Sequence, residues 1–511
     1  MSNNMKHFKS LVLASVLFLG GSCTDLVVEN RDSFSTSDTQ GVFTGVNATA
    51  TLESAYNDLR QWTDQANVYA LYEVASDELL VPTRGTDWGD NGVWRTLHQH
   101  TWDATHVQVL ATWNNLNRNN FKIAQILDSR TTKTAQQAAE ARFLRAFNTF
   151  FLLDLFRQVP ERSVDAADEQ NPRVLTVQEV VTQITGDLDA AIAGLPSVAP
   201  SGNTLKASKA AAHFLKAKFL LNKHIYLNAS PAPADMNGVI AAVDAIESEG
   251  YSLQGGNYFD IFRNTSDSET ILWTDGGVGN RMWNGLHYNQ NSPDNAGGGW
   301  NGFSTYADFY SKFQGAANSN EPGNGQEPRR GFVPTDGSNL GIGFGFLVGQ
   351  QYDETGAKLK DRAGNDLVFT KDFPGLAGNN ERTGIRIIKY HPVNGGFTNH
   401  YILFRFADAH LMKAEAILRG GTSSDTALGL YNELRAIRGA AAAASVTLDA
   451  ILDERGRELY AEGWRRMDQV RFGRYNVSYG YMTNTDASRN VYPIPSVALS
   501  SNPNLVQNPG Y

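Results

Sequence analysis

One segment limits the fold more than any other. Within Ala135–Phe156, Phe143, Phe147, Phe151 and Leu155 recur every four residues, and Leu144 and Phe150 widen the stripe. Apolar residues at this spacing form one face of an α-helix, and a face this bulky must be buried against other elements. Pro160 supplies the stop. The same period recurs in Leu52–Trp62, Thr112–Leu127, Val177–Leu195 (closed by Pro196) and Asn237–Glu249 (closed by Gly250). In Ser208–Asn228 it aligns Phe214, Ala217, Leu221 and Ile225. After residue 400 it returns in Phe404–Arg419, Leu428–Arg438 and a long Leu448–Val470. The spacing predicts a mainly α fold of paired helices separated by short breaks, like tetratricopeptide units, although no repeat of fixed period is present.

Residues 251–400 have a different texture. Glycine, asparagine and aromatics dominate, as in Gly297-Gly298-Gly299-Trp300-Asn301-Gly302. Only Tyr306–Phe313 reads as helix and Thr383–Tyr390 as strand, so this is a loop-rich insertion on a rigid scaffold, where binding residues concentrate. The Gly341–Gly349 run reads as a flexible loop. The prolines between Tyr492 and Tyr511 argue for an extended tail over 476–511.

The N-terminus carries targeting information. Lys6 and Lys9 precede the apolar Leu11–Leu19, then Gly20-Gly21-Ser22-Cys23, a secretory signal over residues 1–22. Cys23 is the sole cysteine of 511 residues, so no internal disulfide can form. Small residues before it resemble a lipobox, which makes Cys23 the expected lipidation site and outer-membrane anchor. Gly20 stands where a large apolar residue is usual, with Leu19 one position further out. Residues 23–50 read as a polar tether. The body, 51–511, divides into scaffold (about 51–250 and 400–475), binding region (about 251–400) and tail. No apolar run after residue 25 approaches the roughly 18 residues of a membrane-spanning helix.

The net charge of −9 and the absence of a Lys/Arg cluster argue against nucleic acid as a partner. No G-x-S-x-G, H-E-x-x-H or P-loop occurs. His98-Gln-His100 offers two metal ligands without a third, so neither metal nor cofactor is expected. Glu454 to Arg471 alternates acids and arginines at helical spacing, a pattern that builds ion pairs rather than a catalytic set. The distinctive feature is aromatics in non-helical segments. Arg84-Gly-Thr-Asp87-Trp88-Gly-Asp-Asn91-Gly-Val-Trp94 sets two tryptophans among turn residues, and Trp273, Trp283, Trp300, Tyr306 and Tyr310 follow in the later region. A flat ring stacks on the apolar face of a pyranose while Asp, Asn and Arg bind its hydroxyls.

Five ordered motifs resemble the SusD/RagB outer-membrane lipoproteins of Bacteroidetes. They are Cys23-Thr-Asp-Leu26, the helix from Glu140 to Phe147 with its exit at Val159-Pro160, and Arg405 to Ala416. The other two are Glu454 to Arg471, and the ending from Tyr492-Pro-Ile-Pro495 to Asn508-Pro-Gly-Tyr511. The resemblance implies a helical scaffold under a loop-rich ligand surface and no enzymatic activity. It also implies a SusC-like TonB-dependent transporter as partner, with the ligand handed on for import. The expected ligand is a neutral glycan, for which a β-glucan such as laminarin is one candidate; RagB-like peptide capture is the alternative. A glycoside hydrolase would need two carboxylates flanking a cleft. Carried over from the family, the expected glycan contacts are Trp88, Trp94, Trp283, Trp300 and Tyr306, with Arg84, Asp87 and Asn91 as polar partners.

Overall fold

The computed structural model describes residues 42–165, 171–202, 204–263, 267–278, 284–290, 298–315, 326–390 and 400–511. Cys23, the signal segment, most of the tether and Trp283 lie outside them.

Fourteen α-helices and nine short strands occur among the described residues. The first part contains α1 (Ala48–Asn57), α2 (Asn67–Glu73), α3 (Val93–His98), α4 (Val107–Leu127), α5 (Ala135–Phe156), α6 (Val177–Gly194), α7 (Lys209–Tyr226) and α8 (Pro233–Ser248). A small hairpin, β1 (Val159–Glu161) with β2 (Arg173–Leu175), separates α5 from α6. The insertion holds β3 (Thr270–Thr274), α9 (Ala307–Tyr310), β4 (Gly331–Phe332), β5 (Phe344–Leu347), β6 (Gly349–Gln350), β7 (Val368–Phe369) and β8 (Arg386–Ile388). Then come β9 (Tyr401–Arg405), α10 (Phe406–Leu418), α11 (Ala427–Ile437), α12 (Leu448–Leu459), α13 (Arg465–Arg471) and α14 (Ser496–Ser501).

The helices start where side chains satisfy their free N–H groups. Thr134 with Gln137, and Thr176 with Glu179, form capping boxes before α5 and α6, and Ser208 caps α7. Successive helices pack in tetratricopeptide-like pairs: α5 lies against α4 and α6, α7 against α6 and α8, and α10 against α8, α11 and α12. The expected phenylalanine stripe of α5 is fully buried. Phe151 meets Phe147 at 4.8 Å and Trp62 at 4.7 Å between ring centres, and Phe214 of α7 stacks on Phe404 of β9 at 4.3 Å.

Three expectations change. The Gly341–Gly349 run is not a loop throughout: Phe344–Leu347 is a buried strand paired antiparallel to β4 and β8. The tail contains one turn of helix, α14, entered directly after Pro495, whose preset φ suits a helix start. The long helix over Leu448–Val470 breaks between α12 and α13. Ala461 and Gly463 take left-handed φ values of 58° and 87° there, and their N–H groups are donated to the buried carboxylates of Glu78 and Glu73. Burial and the neighbouring Glu73 push the Glu78 carboxyl well above the usual carboxylate range.

A buried ionic network joins scaffold to insertion. Glu458 of α12 accepts from Arg405 (2.7 Å), Arg329 (2.7 Å) and Arg438 (2.9 Å). Glu269, on the turn into β3, accepts from Arg405 at 3.0 Å and Arg438 at 2.5 Å. Glu454 binds Arg329 (2.6 Å) and Arg435 (2.7 Å), and Glu462 binds Arg405 (2.7 Å) and Lys389. Burial raises the Glu458 carboxyl, but Arg438, Arg405 and Arg329 overcome it and hold it well below the ordinary range. Glu454 is likewise pulled down to about 2, against burial, by Arg329 and Arg457.

These shifts set two expectations. Carboxylates with depressed folded-state values stabilise fully above their unfolded value near 4.5, and that stability is lost as pH falls toward about 2. The network's share of the stability, read as the difference in thermal midpoint between the protein and Glu454→Gln, is therefore expected to persist down to about pH 4.5 and to shrink below it; a difference unchanged down to pH 3 would contradict the network's role. Glu458→Gln leaves three buried guanidinium groups short of charge and is expected to cost about 3–5 kcal/mol in denaturant unfolding.

Candidate functional site

The loop Arg84–Trp94 closes on itself before it meets the insertion. Arg84 and Asp87 exchange backbone hydrogen bonds of 3.0 and 2.9 Å, forcing a tight turn. Trp88 then takes a left-handed φ of 60°, rare for a bulky residue, and its half-buried indole lies against the Trp300 segment. Its Nε1 donates to the Trp300 carbonyl at 2.7 Å, and its ring lies edge-on to Trp94 (5.7 Å) and Phe303 (5.9 Å). Gly302 makes this fit possible, since a Cβ there would collide with the Trp88 ring. The Trp300 segment is held by residues 284–287, through Gly299 N to His287 O (2.9 Å), Asn301 N to Leu286 O (2.8 Å) and Gly302 N to Asn284 O (2.8 Å).

Next to Trp88 lies a second group. The Tyr288 hydroxyl donates to Asp87 Oδ2 at 2.6 Å, and the Arg362 guanidinium sits 3.8 Å above the Tyr288 ring. Arg362 also donates to Asp87 at 3.1 Å and pairs with Glu381. His287 Nε2 meets Glu381 Oε2 at 2.9 Å while its Nδ1 accepts from Asn289 N at 3.1 Å, which places the proton on Nε2. Burial lowers His287 to about 4 despite its hydrogen bond to Glu381. Burial raises Glu381, but hydrogen bonds from Arg362 and His287 leave it below the ordinary range.

The structure sorts the residues expected to contact ligand. Trp88 and Asp87 are half-buried, Asn91 is exposed on the same turn, and Trp300 is 40% exposed. Trp94 is buried, with Nε1 donated to Asp90 at 2.6 Å, so its ring backs Trp88 rather than facing solvent. Tyr306 is buried with its hydroxyl on His98. Arg84 is only 3% exposed and donates to Thr383 O (2.6 Å), Asn380 O (2.9 Å) and Ser304 Oγ (2.8 Å). Burial without a carboxylate partner lowers it to about 9. Arg386 lies in the same interior, donating to Asn301 Oδ1 at 2.7 Å and thereby fixing the residue after Trp300. Thus Trp94 backs Trp88 directly and Arg84 ties its loop to the insertion, whereas Tyr306 packs apart from them against His98, Phe373 and Tyr479. Trp273 stacks on His400 at 3.4 Å, and Tyr310 is buried. His98 and His100 are both buried, and among the described residues no group of three His, Cys, Asp or Glu could hold a metal.

Sequence reading missed Tyr288, Arg362, Glu381 and Arg386. Tyr288 had a signal, an aromatic between Trp283 and Trp300 in a polar loop. Arg362 had a weaker one, its place in the turn sequence Asp361-Arg-Ala-Gly-Asn365, whose first residue caps the turn by accepting from Ala363 N and Asn365 N. Glu381 and Arg386 are recognisable only once the chain is folded.

Two family models match separate stretches of the chain. Residues 31–221 match a family described as starch-binding and associating with the outer membrane, and residues 268–511 match the SusD family. The chain belongs to the SusD/RagB family. It is 29% identical over 437 residues to the starch-binding protein SusD of Bacteroides thetaiotaomicron, covering 77% of this chain and 76% of that one. A SusD-like protein of Bacteroides fragilis superposes with TM-score 0.69 at 20% identity, over 91% of this chain and 96% of its own. The surface glycan-binding protein A of Bacteroides thetaiotaomicron, solved with laminarihexaose, superposes with TM-score 0.64 at 20% identity, over 90% and 98%. No helix among the described residues is long and apolar enough to cross a membrane.

Because His287 is buried and neutral, its imidazole is expected to titrate near pH 4 by NMR. A midpoint near 6.5 would mean that His287 is not buried in solution, since burial is what lowers it.

Proposed function

We propose that this SusD-like chain captures a neutral glycan at the cell surface and passes it to a SusC-like TonB-dependent transporter. Cys23 is the lipid-anchored residue in this reading, and the outer membrane is its site. The observation that carries the proposal is that Trp88, braced by Trp94 and Phe303, donates to the backbone of the 40% exposed Trp300, with Tyr288 and Arg362 gathered on the neighbouring Asp87. A rigid aromatic surface beside hydrogen-bonding groups suits a sugar ring with equatorial hydroxyls.

Local charge supports a neutral ligand. The Arg362 guanidinium is already shared between Asp87 and Glu381, so an anionic sugar would meet two carboxylates with little cation left to balance it. The same pairing speaks against hydrolysis. A glycosidase needs one carboxyl held protonated as general acid, whereas Glu381 is held below its ordinary value. Two relatives guide the choice of ligand, one named for starch and one solved with laminarihexaose; neutral glucans are the first class to try.

Titration calorimetry against neutral β- and α-glucan oligosaccharides tests this. Binding is expected between about micromolar and millimolar, or −8 to −4 kcal/mol. Trp88→Ala and Trp300→Ala are each expected to weaken it about tenfold, near 1.4 kcal/mol, with no reducing sugar released. Glycan binding indifferent to both variants would reject the site, and binding to peptides alone would reject the ligand class.

A further inference from the structure

One residue ties together the two sides of the surface around Trp88. Glu381 lies on the connection between β7 and β8, with its side chain 19% exposed. Its Oε1 accepts from Arg362 Nε, and its Oε2 accepts from Arg362 N and His287 Nε2, both at 2.9 Å. Its main-chain carbonyl accepts from Arg386 Nη2 at 2.8 Å and from Asn301 Nδ2 at 3.0 Å. The carbonyl thus serves the segment that carries Trp300. The carboxylate serves Arg362 and, through it, Asp87 beside Trp88.

Arg362 is held more firmly than its exposure suggests. Its side chain is 52% exposed, and a long side chain in that position ordinarily keeps much of its rotamer freedom. Here four contacts restrain it: main-chain N and Nε on Glu381, Nη2 on Asp87 at 3.1 Å, and the guanidinium over the Tyr288 ring at 3.8 Å. The turn behind it is closed too, since Asp361 accepts from Ala363 N and Asn365 N and pairs with Arg382 at 3.3 Å. Half of the restraint on Arg362 itself comes from the one carboxylate of Glu381.

We infer that Glu381 is a positioning residue of the glycan site, acting on the sugar through Arg362. This role rests on the glycan reading above. The carboxylate faces donors of the protein, and its effect is to hold a planar guanidinium stacked on Tyr288 before sugar arrives. A group fixed in advance loses less freedom when it hydrogen-bonds a hydroxyl.

Glu381→Gln isolates that effect. The new NH2 must replace one oxygen and face whatever donors that oxygen held. At the Oε2 position it would oppose both Arg362 N and His287 Nε2; at the Oε1 position it opposes Arg362 Nε alone. The second arrangement keeps more hydrogen bonds, so the variant frees the guanidinium and leaves the Arg362 main chain, His287 and the carbonyl contacts in place.

The test is a double-mutant cycle, read by titration calorimetry of the whole protein with maltohexaose and laminarihexaose. Arg362→Gln and Glu381→Gln are each expected to weaken binding about three- to tenfold, and the pair no more than Arg362→Gln alone. Glu381→Asp keeps the charge on a shorter side chain and is expected to fall between the protein and Glu381→Gln. The Arg362 Nε–H NMR signal is expected to be sharp in the protein and to broaden in Glu381→Gln, while His287 still titrates no higher than about 4. The role is overturned if Glu381→Gln binds glucan unchanged, if the two losses add in the pair, or if the Nε–H signal is the same in both proteins. A protein that binds neither hexasaccharide before any substitution overturns the glycan reading, and this role with it.

Discussion

The carboxylate of Glu458 is the point on which the architecture depends. It is fully buried, and it accepts hydrogen bonds from guanidinium groups of three separate segments: Arg405 at the end of β9, Arg438 after α11 and Arg329 within the insertion. A buried charge is tolerated only when it is paired and its lone pairs are filled, so each of these segments must occupy one position relative to α12. Glu269, Glu454 and Glu462 extend the same condition to β3, α11 and the strand region near Lys389. Apolar packing alone would leave a glycine-rich insertion free to slide over the scaffold. The directional ion pairs fix its register.

That fixation reaches the proposed ligand surface in short steps. Lys389, held by Glu462, follows β8, and β8 begins at Arg386. Arg386 binds Asn301, and the Trp300 carbonyl next to Asn301 receives the Trp88 indole. Arg84 ties the other loop to the Thr383 and Asn380 carbonyls. The two tryptophans thus come from loops over 200 residues apart in sequence, yet each is anchored to the same buried arginine-rich floor. A surface ordered in this way loses little further freedom when it binds sugar, and this helps a site with few contacts.

The helical scaffold was legible because its signal is local. The four-residue phenylalanine rhythm of α5, the caps at Thr134 and Thr176, and the stop at Pro160 act within a few residues of the element they define. The break between α12 and α13 was not legible. The apolar period runs straight through it, and the groups that capture the Ala461 and Gly463 N–H are glutamates almost 400 residues earlier. The site divides the same way. Tryptophans among turn residues marked two loops that the fold brings together, but their sequence could not tell Trp88, which is half-buried, from Trp94, which is buried against it. Only the fold decides which indole is buried: Trp94 donates to Asp90 and Trp88 to the Trp300 carbonyl, yet Trp88 stays half-buried. Arg84 is the plainest case: a lone arginine in a polar turn reads as a ligand contact, and the folded chain uses it as a buried strut.

The central claim is that the ionic network presents a ready-made aromatic surface on which a neutral sugar lies against Trp88 and Trp300. The most direct measurement is a pair of crystal structures of the protein, free and soaked with a neutral glucan oligosaccharide. The account predicts sugar density stacked on Trp88 or Trp300 and hydrogen-bonded near Asp87 and Arg362, with the platform and the Glu458 network superposing in both states. Sugar bound elsewhere, or a platform that forms only when sugar is present, would contradict it.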